Sequence, residues 1–138
     1  MIVSAQTFVI TVADSPKSVN QGGGGVRAPH WSSAYREKVA WQNIFMAELM
    51  VEGVPRNMTH CSAHVTVRFK HRNHRDVENY RHPVIKPLAD ALVAGGWLED
   101  DTEEWFEVED FRLEHADSWP ERSLVKSELV IRLHAHYA

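Results

Sequence analysis

Cys61-Ser62-Ala63-His64-Val65-Thr66-Val67-Arg68-Phe69-Lys70, continuing through His71-Arg72-Asn73-His74 into Arg75-Asp76-Val77-Glu78-Asn79, is the stretch on which the fold turns. Its first ten residues alternate. Cys61, Ala63, Val65, Val67 and Phe69 fall on one side, and Ser62, His64, Thr66, Arg68 and Lys70 on the other. A period of two describes a strand with one face in a core and one face polar and basic. The short polar turn from His71 to His74 then delivers an acidic motif just past the strand. Downstream, Val84, Leu88, Ala91 and Leu92 recur at helical spacing until Gly95-Gly96 stops them. Pro83 suits a first helical turn, so this helix is expected from near Pro83 to Ala94. Pro87 removes a donor and should bend or loosen its start. Lys86 and Asp90 lie off the apolar side.

Working outward, Gln6 to Val12 reads as a strand, with Phe8, Ile10 and Val12 on one face. It ends at the turn signal Asp14-Ser15-Pro16. Gly22 to Gly25 cannot be a phosphate-binding P-loop, because no Gly-Lys-Ser/Thr follows, and reads as a flexible loop. A helix is expected from a Ser32 or Ser33 cap to about Met50, with Glu37 well placed near its start. Ala34, Trp41, Ile44, Phe45 and Leu49 form its apolar side, interrupted by Lys38 and Glu48. Gly53-Val54-Pro55 ends it. Trp105 to Leu113 reads as a strand that changes phase, and a bulge near Glu109-Asp110 reconciles its halves. Asp117-Ser118-Trp119-Pro120 turns the chain into a last strand, Leu124 to His134. These last two strands can form a hairpin. Helices between strands indicate an α/β (α+β) domain: a mixed sheet of about four strands packed with two main helices, and no second domain.

The chain has 138 residues, 43% hydrophobic and 25% charged, enough for one domain with a core. The single cysteine, Cys61, cannot form an internal disulfide, which fits a reducing compartment. No basic-then-apolar leader opens the chain, and no apolar run has membrane-spanning length, so no signal peptide and no membrane partner are expected. The formal net charge of −4 gives no general affinity for nucleic acid, but its distribution is uneven. Residues 60–86 hold Arg68, Lys70, Arg72, Arg75, Arg81 and Lys86 against only Asp76 and Glu78, whereas residues 99–121 are acidic with Arg112 their one Lys or Arg. The arrangement suits a phosphate-facing groove beside an acidic pocket. From charge alone, two solvated surfaces of opposite sign are the plainer reading.

Carboxylate oxygens are the donors that hard cations such as Mg²⁺ take, and Arg and Lys match phosphate. Asp76 and Glu78, two apart, share a face if extended. Asp100 and Asp101 lie beyond a helix of about 18 Å. Either the intervening chain folds back, or the acidic pairs meet across a symmetric partner. The plainer reading has Asp76 capping a helix or pairing with Arg75 or Arg81, and Asp100-Asp101 in an exposed turn.

Three blocks together, Arg75-Asp76-Val77-Glu78-Asn79, Lys86-Pro87-Leu88-Ala89-Asp90-Ala91-Leu92 and Gly96-Trp97-Leu98-Glu99-Asp100-Asp101, resemble the RusA family of Holliday junction resolvases. That family has a pattern close to R-D-x-D-N, a lysine leading a D-A-L helix, then G-x-x-x-D-D. Pro16-Lys17-Ser18-Val19-Asn20 resembles its early P-x-S-x-N segment. The likeness implies a homodimeric, Mg²⁺-requiring endonuclease (Mn²⁺ as substitute) that cuts four-way DNA junctions by paired symmetric nicks. It implies no nucleotide cofactor and a cytoplasmic location in a bacterial or phage-infected cell. Asp76, Glu78 and Asp101 occupy the family's essential acidic positions, Asp100 the adjacent one, and Lys86 the lysine position. Glu78 stands where the family commonly has Asp, and extra residues separate Asn79 from Lys86, so that His82 is the gapless competitor. On this reading Asp76, Glu78, Asp100 and Asp101 hold metal, Lys86 neutralises the phosphate or the leaving oxygen, and Arg68, Lys70, Arg72, Arg75 and Arg81 bind the DNA backbone. A nuclease of broader branched-DNA or flap specificity, or a non-catalytic junction-binding module, shares these features.

His60, Cys61, His64, His71 and His74 cluster in sequence but fit no zinc-finger spacing, and alternation sends Cys61 inward and His64 outward. A buried Cys61 is a poor nucleophile. Trp31 and Trp119, in loop-like segments, are the tryptophans expected to be exposed.

Overall fold

A computed structural model of the chain describes residues 4–19, 31–115, 119 and 124–138. The Gly22 to Gly25 run, Asn20, and Asp117, Ser118 and Pro120 of the expected turn lie outside the described residues, as does the Trp31 side chain. The element order is β1 (Ser4–Val12), α1 (Trp31–Val51), β2 (His60–Phe69), α2 (Glu78–Ala94), β3 (Phe106–His115) and β4 (Ser127–Tyr137). The strands form one mixed sheet in the order β1-β4-β2-β3. β4 runs antiparallel to both β1 and β2, and β2 pairs parallel with β3. The fold class expected from sequence is therefore observed: a four-stranded mixed sheet with two helices.

The hairpin expected between the last two strands is not formed. β2 lies between β3 and β4. The β2-α2-β3 crossover makes β3 parallel to β2 at the sheet edge, as such a unit requires, and β4 then takes the free side of β2. The expected bulge is present. Ala63 opposes Val108 but His64 opposes Asp110, leaving Glu109 as the extra residue in β3.

One sheet face carries the core. Cys61, Ala63, Val65 and Val67 of β2 are fully buried, as are Leu129, Ile131, Leu133 and Ala135 of β4 and Ile10 of β1. Against them lie Phe45 and Leu49 of α1, Val84, Leu88, Ala91 and Leu92 of α2, and Trp97. Burial pushes the Cys61 thiol up to about 12, so it is protonated at neutral pH. A maleimide or aromatic disulfide reagent is expected to label Cys61 only as the protein unfolds. Fast stoichiometric labelling of the native chain contradicts this burial. Burial also pushes the nearby Tyr137 phenol up to about 12, and its hydroxyl donates to the Pro55 carbonyl at 2.6 Å.

Both helices begin earlier than the sequence suggests. α1 already includes Trp31, so Ser32 and Ser33 lie within its first turn rather than capping it. Glu37 falls beyond that turn and accepts from the Lys17 amide at 3.4 Å. Ala34, expected on the apolar side, is exposed. α2 starts at Glu78, not near Pro83, and holds both Pro83 and Pro87 inside it. Pro83 cannot donate to the Asn79 carbonyl one turn back. That carbonyl instead accepts the Val19 amide at 3.0 Å. A neighbouring segment thus satisfies the acceptor that the proline leaves open.

Candidate functional site

The segment from His71 to Val77 leaves the end of β2 and is shaped by two of its own side chains. The Arg75 guanidinium lies 3.8 Å over the Phe69 ring and donates to the His71 carbonyl at 2.9 Å and the Asn73 carbonyl at 3.4 Å. Arg75 therefore braces the loop rather than standing free for a phosphate. Asp76 Oδ1 accepts the Glu78 amide at 3.1 Å, taking one of the donors that a helix start leaves open. Asp76 and Glu78 are both exposed, and neither forms an ion pair with a described residue. Asp76 is not the cap that the plainer reading expects: Val77 holds the N-cap position with no side-chain cap bond, and Asp76 serves the Glu78 amide from one residue earlier. Pairing with Arg75 or Arg81 is not seen. Glu78 is helical, so the extended geometry that would align it with Asp76 is absent.

From Glu78, a ridge of side chains four residues apart runs along α2: Glu78, His82, Lys86 and Asp90. Asp90 sits between two ammonium groups, Lys38 of α1 at 3.0 Å and Lys86 at 3.2 Å. Burial raises the Asp90 carboxyl, but hydrogen bonds and charge from both lysines outweigh it and leave the group below its ordinary range. A depressed carboxyl stabilises the fold at pH values above the unfolded pKa, and the contribution fades as pH falls through the folded one. Asp90→Asn is accordingly expected to cost about 1 kcal/mol at pH 7. The loss should shrink below about pH 4, where the unfolded carboxyl protonates too. Urea melts across pH check it, and a penalty that grows toward acid contradicts it.

The chain then folds back. The Trp97 and Leu98 amides both donate to the Leu92 carbonyl, at 2.9 and 3.0 Å, and Trp97 Nε1 donates to the Val54 carbonyl at 2.8 Å. Gly96 takes φ +78°, a conformation that favours glycine. The turn brings Asp101 to 4.0 Å from Lys86, while Asp100 Oδ1 accepts the Asp101 amide at 2.8 Å. Asp100 is exposed and forms no ion pair among the described residues.

The expected acidic residues thus occupy two places on one flank. Asp76 and Glu78 are at the start of α2. Asp100 and Asp101 lie near Lys86, eight residues and about 12 Å along the axis from Glu78. Two oxygens on one Mg²⁺, each about 2 Å from the ion, lie within about 4 Å of each other. One chain therefore supplies carboxylate donors of the right chemistry in two separate pairs, and among the described residues no three potential ligands form a metal-binding group. The two claimants to the lysine position are divided likewise. His82 is one turn from Glu78, and Lys86 lies beside Asp90 and Asp101.

The basic residues divide too. Arg72 and Arg75, with His71, His74 and Glu114, line an open cleft of about 470 Å³. It lies beyond the carboxyl ends of the parallel strands β2 and β3, where such sheets commonly take ligands. Arg68 lies on the other face of the sheet, paired with Glu128 at 3.0 Å, its guanidinium 5.9 Å from the half-buried Trp119 ring. Lys70 follows β2, its amide bonded to the Lys126 carbonyl at 3.0 Å, and Arg81 is half-buried on α2. A second cleft, of about 320 Å³, lies between α1 and α2, where Lys17, Tyr35, Lys38, His82 and Lys86 meet.

Sequence reading missed Lys38 and Asp90 as members of the cluster. The i,i+4 spacing of Lys86 and Asp90 was a usable signal. Lys38 carried none, because its place depends on how α1 crosses α2. No protein-family model matches the chain, and no curated protein matches it.

Proposed function

We propose that this chain is a metal-dependent, structure-specific DNA endonuclease acting as a homodimer on branched DNA, with four-way junctions as its substrate. The observation that carries this reading is the set of exposed carboxylates along the α2 flank. Asp76, Glu78 and Asp100 have no cationic partner among the described residues, and Asp76 follows directly on Arg75, which with Arg72 lines an open cleft. Unpaired neighbouring carboxylates repel one another, and a hard divalent cation relieves that repulsion. The resemblance to RusA resolvases supports the same reading.

Asp76, Glu78 and Asp101 would hold Mg²⁺, or Mn²⁺ in its place, with Asp100 beside them. The ion supplies an activated water and charge neutralisation at the scissile phosphate. The remaining tasks fall to side chains. Lys86, beside Asp101, would neutralise the phosphate or leaving oxygen, with His82, one turn from Glu78, as the competitor for that role. Arg72, Lys70 and Arg81 bind the DNA backbone, which makes binding fall steeply with salt. The 12 Å between the two acidic pairs is closed by a second copy of the chain, whose symmetry also gives two nicks per junction.

The test is incubation of a labelled four-way junction, a flap and a linear duplex with protein and Mg²⁺. Paired symmetric nicks in the junction alone support the reading. Equal cutting of the flap moves the function to a general branched-DNA nuclease. Binding without cutting in Mg²⁺ or Mn²⁺ makes the chain a non-catalytic junction-binding module.

A further inference from the structure

The cleft of about 320 Å³ between α1 and α2 joins flat apolar walls to a cationic rim. Tyr35 of α1 and Pro83 and Pro87 of α2 line it with rings. Tyr35 is 56% exposed, and Lys38 Nζ lies 5.9 Å from the centre of its ring. Lys38 and Lys86 share Asp90, at 3.0 and 3.2 Å, and an ammonium bonded once keeps two further donors. Lys17 is exposed, and its ammonium forms no ion pair among the described residues. The segment from Lys17 to Val19 is tied to both helices. The Lys17 amide donates to Glu37 of α1 at 3.4 Å, and the Val19 amide to the Asn79 carbonyl of α2 at 3.0 Å. Between them Ser18 is 6% exposed and lines the cleft, and its hydroxyl has no hydrogen-bond partner among the described residues. Polar side chains on buried residues are ordinarily bonded, and the cleft is where a ligand can meet this one.

We propose that this cleft holds one unpaired nucleotide of the DNA substrate. The inference rests on the nuclease reading and adds how a strand is held at the branch point. A nucleobase is a flat ring that stacks on Tyr35 and packs against the proline rings, and its phosphate is an anion for Lys17 and Lys86. Ser18 bonds the base edge or the sugar through its free hydroxyl. Three ammonium groups, Lys17, Lys38 and Lys86, stand against two carboxylates, Glu37 and Asp90, so the surroundings stay net positive. The volume is at the small end for ligand sites and admits one nucleotide but no duplex. Lys86 belongs both to the cleft and, 4.0 Å from Asp101, to the acidic flank. A nucleotide seated here therefore carries its neighbouring phosphate to those carboxylates. A branch point supplies such a nucleotide where a pair parts, and an intact duplex supplies none away from its ends.

The test is fluorescence anisotropy of a labelled oligothymidylate with the full-length protein in EDTA, beside a duplex of the same length and free dTMP. The single strand is expected to bind more tightly than the duplex. Tyr35→Ala should weaken single-strand binding by about tenfold and leave duplex binding unchanged, and Tyr35→Phe should restore it. Lys17→Ala should lower the slope of log affinity against log salt by about 0.7. Both side chains are exposed, so circular dichroism should be unchanged. Single-strand affinity that is the same in Tyr35→Ala and Lys17→Ala as in the wild type overturns the assignment. So does no single-strand binding, or a Tyr35→Ala loss that is equal on the duplex. Saturable binding of dTMP without binding of the strand overturns it in favour of a free nucleotide. The measurement uses no metal and no cutting. A protein that cuts nothing can pass it and one that cuts junctions can fail it, so the two failures are distinguishable.

Discussion

Trp97→Ala is expected to destabilise the protein by about 3–5 kcal/mol, the range for emptying a fully buried tryptophan site. Trp97 is 0% exposed, fills the space under the turn after α2, and bonds the Val54 carbonyl through Nε1. Its removal leaves a cavity and one carbonyl without its partner. The Arg56 guanidinium, 4.7 Å over the ring, loses its platform as well. For a domain of this size the melting temperature should fall by roughly 10 °C or more. Gly95→Ala attacks the same contact from the other side, since an added Cβ overlaps the six-membered ring of Trp97. The expected cost is about 1–3 kcal/mol. Denaturant melts of both variants check this, and a Trp97→Ala loss below 1 kcal/mol contradicts it. The functional consequence follows from position. The turn that Trp97 anchors carries Asp100 and Asp101 back to Lys86.

Asp76→Asn is the second large effect. On the proposed nuclease reading, junction nicking is expected to fall by about a hundredfold or more, the scale for losing a group that stabilises transition-state charge. Folding should be unchanged, because an asparagine oxygen can still accept the Glu78 amide that Asp76 holds at 3.1 Å. Asp76→Ala removes that bond too and should add a stability loss of about 1 kcal/mol, the net worth of one hydrogen bond. The pair separates a catalytic loss from the loss of this local bond. An Asp76→Asn protein that nicks at the wild-type rate removes Asp76 from the site.

Period-two and helical spacing carry information about which side of an element is buried, and there the sequence was legible. Cys61, Val65, Val67, Leu88 and Leu92 are buried as their spacing implies. The phase change between Val108 and Phe111 marked the bulge correctly. Strand order was not legible. Alternation in β4 says which residues face the core, not whether β2 or β3 is its neighbour. The start of α2 was hidden for a specific reason: Pro83 reads as a first-turn residue unless another donor is known to serve the Asn79 carbonyl, and that donor, Val19, is sixty residues away. The acidic residues were legible as a set but not as a geometry. Only the folded turn shows that Asp101 reaches Lys86 while Asp76 and Glu78 remain about two helical turns away.

That separation gives the most direct test of a site shared between two chains. Asp76→Asn and Asp101→Asn proteins should each be inactive on a four-way junction in Mg²⁺. Mixed in equal amounts and allowed to exchange subunits, they form heterodimers in which one of the two composite sites has all its acidic residues. Nicking should return at about a quarter of the wild-type site number, as single rather than paired cuts. A mixture that stays inactive beside an active wild-type protein puts the complete site within one chain. A wild-type protein that binds the junction and never cuts it contradicts the nuclease reading itself.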